Sequence, residues 1–221
     1  TSFFTGNHEH VAKRDLGLFF IAAILGIVTN QCCYTIGLSL TSPINASIVT
    51  TSMPIFTLLI GILFMGERLT WRKTLGIACG ITGALALIMC SAGANGLQGG
   101  NIFGDLLCMA AQFSFACYLA LFKGLITRYN TITCMKWMFL FASIVTVPVG
   151  LPSLIVLPWS NIEPHHWAET AFIVFGATYL AYILMMRGQK KLTPTQVSVY
   201  NYVQPVVSTV VSLFLGIASL G

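Results

Sequence analysis

Apolar residues run along this chain in stretches of about twenty, separated by short polar gaps. Seven such stretches occur, at about 16–40, 46–65, 74–92, 105–122, 135–157, 168–186 and 195–216. A hydrocarbon core about 30 Å thick needs roughly 20 apolar residues to cross it as a helix. A lone segment in lipid satisfies its own backbone hydrogen bonds only as a helix, so each stretch is predicted to be a transmembrane helix. The expected fold is an all-α polytopic bundle of seven visible helices, with short loops and no separate soluble domain. Recurrence of the pattern along the whole length distinguishes it from a signal peptide followed by a globular body.

A second pattern lies over the first. At a constant offset of 151 residues, Gly37 matches Gly188, Pro43 matches Pro194, Ser47 matches Ser198 and Pro54 matches Pro205. Thr50, Thr57 and Gly61 fall on Asn201, Ser208 and Ser212, small or polar on both sides. Expected spans one and two therefore recur as spans six and seven. Five spans lie between the starts of the two copies, and five is odd, so the second copy enters the membrane from the opposite side. Inverted duplications of this kind build many secondary transporters, with the substrate site between the copies.

The charges agree with the reversal. All eleven Lys and Arg fall in alternate gaps: Lys13 and Arg14; Arg68, Arg72 and Lys73; Lys123, Arg128 and Lys136; Arg187, Lys190 and Lys191. The gaps at 41–45, 93–104 and 158–167 hold none. By the positive-inside rule the basic loops are cytoplasmic and span one runs outward. The hairpin Thr41–Asn45 is then outside, and its copy Lys191–Thr195 inside. A five-span period predicts a ten-helix protein of two inverted five-helix repeats, with two helices preceding this sequence and one following it. Residues 1–92 are the expected first repeat, 93–104 a Gly-rich linker, and 105–221 the second repeat.

Composition adds weight to lipid as the solvent: 56% of residues are hydrophobic and 8% charged, against about a quarter charged in soluble domains. The net charge of +5 reflects loop placement, so no nucleic-acid partner is expected. The seven cysteines lie mostly within spans without a CxxC pair, and read as small buried hydrophobes.

Pro54 leads through an apolar run into Gly66-Glu67-Arg68-Leu69-Thr70, then Trp71-Arg72-Lys73-Thr74-Leu75-Gly76 and Gly80-Ile81-Thr82-Gly83. In the second half Leu192-Thr193-Pro194-Thr195-Gln196 leads to Pro205. Across nearly the whole chain this pattern resembles the EamA-like branch of the drug/metabolite transporter superfamily. The resemblance implies a ten-helix carrier of two inverted repeats that exports amino acids or other small metabolites, in a bacterial inner membrane. The second copy departs from the first at Leu215-Gly216-Ile217-Ala218, where no acid stands in the place of Glu67.

A proline inside a helix removes one hydrogen bond and clashes with the carbonyl four residues earlier. Pro54 and Pro205 are therefore expected hinges, kinking their helices and freeing the carbonyls of Thr50 and Asn201. Ser47, Thr50, Pro54, Thr57 and Gly61 share one helical face, as do their counterparts, and the two faces either line a cavity or let helices pack closely. Asn30, Gln31 and Tyr34, Gln112 and Tyr118, Tyr179 and Tyr182, and Asn201, Tyr202 and Gln204 surround those faces. With Thr50 they form the candidate substrate-binding set, suited to a small polar or zwitterionic solute. Taken singly, each equally suits an interhelical hydrogen bond or an interfacial anchor.

No Lys, Arg or His is expected deep in a span, which disfavours phosphorylated substrates. No buried carboxylate is expected either. Glu67 reads as a loop acid among basic neighbours or as part of an inner gate, and Asp105, Glu163 and Glu169 as solvated. His8-Glu9-His10 and His165-His166 fall on opposite sides of the membrane with too few ligands each, so neither a metal nor a cofactor is expected. The remaining partners are membrane lipid, a small-molecule substrate, and a second copy of the chain through Gly76, Gly80 and Gly83. An intramembrane enzyme would need ionisable residues clustered at one depth. A seven-helix receptor without transport activity is the alternative class, but it gives no reason for a repeat.

The topology is testable. Single cysteines at positions 45 and 96, in a cysteine-free background, should react with an impermeant reagent from outside, and cysteines at 123 and 190 only from inside. Labelling of either pair from the opposite side would reverse the assignment.

Overall fold

The computed structural model describes residues 9–41, 43–66, 70–79, 81–82, 101–156, 163–203 and 207. They form helices joined by short turns, and no strand occurs among the described residues. In chain order the helices are α1 (Lys13–Leu40), α2 (Pro43–Thr50), α3 (Met53–Met65), α4 (71–79), α5 (Ile102–Leu121), α6 (Lys123–Arg128), α7 (Thr131–Val156), α8 (Pro164–Lys191) and α9 (Pro194–Val199). A 3₁₀ turn, Tyr200–Tyr202, follows α9.

Four of these helices, α1, α5, α7 and α8, are long and apolar enough to cross a membrane. Expected span two is divided, because the chain turns at Thr51–Ser52 between α2 and α3. Spans three and seven are described only in part, so a count of seven belongs to the sequence reading. The glycine-rich stretch 93–100 lies outside the described residues, and α5 begins at Ile102, inside the expected linker.

The 151-residue echo extends to the backbone. Helices α1 and α8 are each 28 residues long, and both ends are displaced by that offset, Lys13 to Pro164 and Leu40 to Lys191. Each is interrupted by π-helical turns, Ile24–Thr29 in α1 and Ile173–Leu180 in α8. At the same offset the first π segment maps onto residues 175–180, inside the second. Pro43 and Pro194 then open α2 and α9, where a missing N–H costs nothing because first-turn amides have no intrahelical partner. Thr193 and Gln196 complete a reciprocal cap: the Thr193 hydroxyl accepts from the Gln196 amide at 3.3 Å, and the Gln196 side chain accepts from the Thr193 amide at 2.9 Å. At the end of α3, Gly66 adopts φ 62°, a left-handed conformation that glycine alone takes without steric cost.

The chain divides into two compact units. In residues 29–121 with 192–221, α5 is the element on which α1, α2, α3 and α9 pack. Its inward positions include Gly104, Cys108, Ala111, Ala116 and Ala120, and such small side chains let helices approach in lipid, where burial itself supplies little drive. The closest approach is to Gly37: a Cβ there would lie 2.8 Å from the Gly104 carbonyl oxygen and 2.7 Å from Cys108 Sγ. Phe56 of α3 meets Phe113 of α5 edge-on at 5.6 Å, beside a core of Ile60, Ala116 and Ala120.

In residues 1–28 with 122–191, the first half of α1 packs on α7 through Phe20 and Phe141, 5.7 Å apart and edge-on. Helix α8 packs on α6 and α7, with Tyr182 edge-on to Phe139 at 5.1 Å. Elsewhere α7 and α8 turn large apolar side chains outward, Val156 82% and Phe172 72% exposed among them. On a water-soluble protein such a surface would drive aggregation; lipid solvates it.

Gly37 and Gly188 match in sequence but differ in surroundings, since a Cβ at Gly188 would meet nothing within 4 Å. Both replacements by alanine gain about 1 kcal/mol of helix propensity, so their difference isolates the close crossing. Gly37→Ala should be less stable than Gly188→Ala by about 1–3 kcal/mol, measured by unfolding in detergent. Equal stabilities would mean that this crossing does not hold α1 against α5.

Candidate functional site

The polar residues selected from the sequence gather at the helix irregularities. Asn30 and Gln31 follow the π turns of α1, while Tyr179 lies within those of α8 and Tyr182 just after them. A π turn shifts the hydrogen-bond ladder, and such turns recur at functional positions. No sequence pattern announced them; the region is apolar in both copies.

The second irregularity is the interruption before each proline. The expectation at Pro54 was a kink inside one helix, with the break at the Thr50 carbonyl. Instead the helix stops, turns at Thr51–Ser52, and restarts at Met53, leaving Pro54 in the first turn of α3, where proline fits. The turn supplies its own hydrogen bonds. The Ser52 amide and hydroxyl donate to the Val49 carbonyl at 3.0 and 2.6 Å, and the Ser52 carbonyl accepts from the Ile55 amide at 3.0 Å. One turn on, the buried Thr57 hydroxyl donates to the Met53 carbonyl at 2.9 Å. In the second copy the 3₁₀ turn Tyr200–Tyr202 corresponds by offset to residues 49–51. Pro205 and Gln204 lie outside the described residues.

These two interruptions touch. The Tyr202 hydroxyl donates to the Thr51 carbonyl at 3.2 Å, a bond between positions 151 residues apart. Beside it the Asn201 amide donates to the Met53 sulfur. Repeat-equivalent segments thus form one seam, with half-buried Thr50 at its edge.

The other candidates divide between the two units. With the seam belong Asn30, whose amide donates to the Ala111 carbonyl at 3.0 Å, and the next residue of α5, buried Gln112. Tyr118 is fully buried, its ring against Phe115 at 5.6 Å. Tyr34 is half-buried and Gln31 exposed. In the other unit Tyr182 meets Phe139 edge-on and Tyr179 is 39% exposed. Glu67 lies outside the described residues, as do Arg68, Gly80 and Gly83.

Two carboxylates are withdrawn from solvent at helix starts, one buried and one half-buried. Asp15, 7% exposed in the first turn of α1, accepts from the Tyr129 hydroxyl at 2.6 Å and from Arg128 Nη1 at 3.4 Å. The Tyr129 carbonyl in turn accepts from Lys190 Nζ at 2.5 Å, and Glu9 accepts from the Asn130 amide at 2.9 Å. Asp105, expected to be solvated, is half-buried: it accepts from the Thr41 hydroxyl at 2.6 Å and from the Asn45 amide at 3.5 Å, tying the 41–45 hairpin to α5. The signal for both was present. Each acid sits in the first turn of a long apolar helix, where the helix dipole favours an anion.

Three exposed side chains of α8, His165, His166 and Glu169, have ligand atoms within 4.8 Å of one another. Each histidine is already matched by a glutamate, His165 by Glu163 and His166 by Glu169, both at 3.1 Å. A separate groove of about 390 Å³ opens between α4 and the start of α9, with Arg72 and Lys73 on one wall and Thr195 and Gln196 on the other.

Residues 2–89 and 102–218 match the sequence profile of the EamA-like transporter family. A Bacillus subtilis (strain 168) protein named "Uncharacterized transporter YyaM" is 21% identical over 215 residues, covering 97% of this chain and 70% of that protein. A Rickettsia bellii (strain RML369-C) protein named "S-adenosylmethionine uptake transporter" is 22% identical over 211 residues, covering 91% of this chain and 62% of its own length. An Escherichia coli (strain K12) protein named "Probable amino-acid metabolite efflux pump" is 34% identical over 145 residues, 65% of this chain and 47% of that one. A crystal structure shares the fold with TM-score 0.74 at 22% identity, covering 90% of this chain and 68% of that one. The chain thus spans roughly half to two thirds of these relatives' length.

Tyr129 carries a testable pH dependence. Its phenol is pushed above the ordinary tyrosine value, chiefly by the Asp15 carboxylate that accepts its hydrogen bond and then by burial. A raised value means that the folded state favours the neutral phenol. The stabilisation is complete below about pH 10 and is lost as pH climbs through the raised value. Stability in detergent should therefore fall more steeply above pH 10 in the unmodified protein than in Tyr129→Phe. Identical slopes would show that the Asp15–Tyr129 bond contributes nothing.

Proposed function

The chain belongs to the EamA-like transporter family, and on that premise we propose that it is a secondary transporter working by alternating access between two inverted repeats. It is an integral membrane protein with lipid as its solvent, and the proposal assigns it no catalysis. The solute is an amino acid or another small metabolite, and the direction is export. The names of two relatives bear on the solute: one takes up S-adenosylmethionine and the other expels amino-acid metabolites. Our choice of export follows the family resemblance.

The observation that carries this reading is the hydrogen bond from Tyr202 to the Thr51 carbonyl. It joins equivalent positions of the two copies at the point where each copy interrupts its helix. Irregular backbone at membrane depth is tolerated where protein or a water-filled cavity covers it, and carriers place their sites at such discontinuous helices. Thr50, Asn201 and Tyr202 border the solute in this scheme. Asn30, Gln31, Tyr34, Gln112, Tyr118, Tyr179, Tyr182 and Gln204 complete the proposed binding set. The turns beside Pro54 and Pro205 act as hinges, and Glu67 as an inner gate.

The wider organisation is part of the same proposal. Residues 1–92 and 105–221 are the two repeats of a ten-helix carrier, joined by 93–104, with basic loops in the cytoplasm of a bacterial cell. The paired family matches, 2–89 and 102–218, support that division.

One neutral hydrogen bond contributes about 1 kcal/mol, or about fivefold in a rate. Tyr202→Phe should therefore change the export rate of a radiolabelled amino acid about fivefold in vesicles holding the full-length protein, with KM nearly unchanged. Pro54→Ala should lower that rate more than it lowers the amount of folded carrier. Losses of rate that merely track the amount of folded protein in both variants would reduce the seam to helix packing.

A further inference from the structure

The groove between α4 and α9 lies where both helices begin, with Arg72 and Lys73 at the start of α4. Arg72 is exposed and Lys73 half-buried on its α4 wall. Facing them are the first turns of α9, with Leu192 and Val199 as apolar surface and Tyr200 at the far end. The residues from Arg72 to Gly76, and from Thr195 to Tyr200, advance about one turn or more along their helices. At 1.5 Å per residue the groove therefore reaches about 6–8 Å from its rim along the helices. Gly76 keeps it open, since a side chain there would meet no other atom within 4 Å of its Cβ and would project into the space.

We propose that this groove binds one anionic phospholipid from the leaflet bordering the basic end of the helices. Two requirements meet here and nowhere else among the sites described above: paired cations at the rim and an apolar wall behind them. A headgroup phosphate beside Arg72 and Lys73 is matched in charge, and Arg presents a forked donor set suited to phosphate oxygens. The start of an acyl chain covers Leu192 and Val199, which a free phosphate would leave wet. Basic pockets between membrane helices at this depth are suited to acidic headgroups, and the attraction falls off within a Debye length. The charge of the site comes from α4 rather than from the bulk of the chain's surface, so position matters as well as number.

The test uses full-length protein in mild detergent, with phosphatidylglycerol or phosphatidylcholine added and bound lipid counted by native mass spectrometry. One phosphatidylglycerol should be retained in preference to phosphatidylcholine. Replacing both cations, Arg72→Gln with Lys73→Gln, should lower retention about tenfold, because each interfacial cation attracts an acidic leaflet appreciably. Gly76→Leu, which fills the groove without changing charge, should also abolish it. The pair Arg187→Gln with Lys191→Gln removes two cations outside the groove and should leave retention intact. Equal losses in the two paired variants would assign binding to diffuse surface charge and overturn the proposal. So would equal retention of phosphatidylcholine, retention by Gly76→Leu, or displacement of the lipid by millimolar inorganic phosphate.

Discussion

Lipid offers no hydrogen bond to an unpaired amide, and each such group left open at membrane depth costs several kcal/mol. Where the described helices are irregular, side chains meet that constraint. At Thr51–Ser52 the backbone leaves the helix, and serine closes the gap by directing both its amide and its hydroxyl at Val49. Thr57 returns a hydroxyl to the Met53 carbonyl, and Tyr202 sends one to Thr51. Asn30 does the same for Ala111. The polar side chains of the spans act first as a substitute solvent for the backbone. In the proposed binding site a solute would compete with the protein's own carbonyls for those donors, which suits a site that must release its cargo as readily as it binds it.

The duplication is kept more faithfully in backbone geometry than in side-chain identity. Helices α1 and α8 share length, both end points and the place of their π turns, although few of their residues are identical at the offset. Gly37 and Gly188 are identical, yet only Gly37 faces another backbone at close range. Thr51 and Tyr202 differ in size and shape, and they bond to one another. The contacts that work at the seam are complementary pairs, a large hydroxyl from one copy against a carbonyl of the other.

Much of the fold was legible because hydrophobic length is a coarse and robust signal: α1, α5, α7 and α8 all fall where the apolar stretches lie, within a few residues at each end. The 151-residue offset likewise led to the seam. Other features were hidden for physical reasons. The break at Thr51–Ser52 occupies two residues of a predominantly apolar stretch, so a window of twenty averages it away. The π turns need no special residue and leave no mark in composition. Asp15 and Asp105 escaped because burial of a carboxylate depends on who stands opposite, and Tyr129 and Thr41 are distant in sequence from the acids they meet. Pairing of that kind is a property of the packed helices, whereas the favourable place for an acid in a helix's first turn was readable from the start.

Charge and irregularity are separated along the helices, and the separation has an energetic meaning. The short bonds to ionised groups, Tyr129 to Asp15 and Thr41 to Asp105 at 2.6 Å, sit at helix ends. Bonds to charged groups contribute about 1.5–3 kcal/mol, neutral ones about 0.5–1.5. The seam between the interrupted helices is held by the second kind, Tyr202 to Thr51, and by an amide on a thioether sulfur, which is a weak acceptor. Under the proposed alternating access the central contacts exchange many times while the loops keep their register. Placing the stronger ties at Asp15 and Asp105 and the weaker ones at Thr51 and Met53 allows both, because the cost of rearrangement at the centre stays within reach of the binding energy of a small solute.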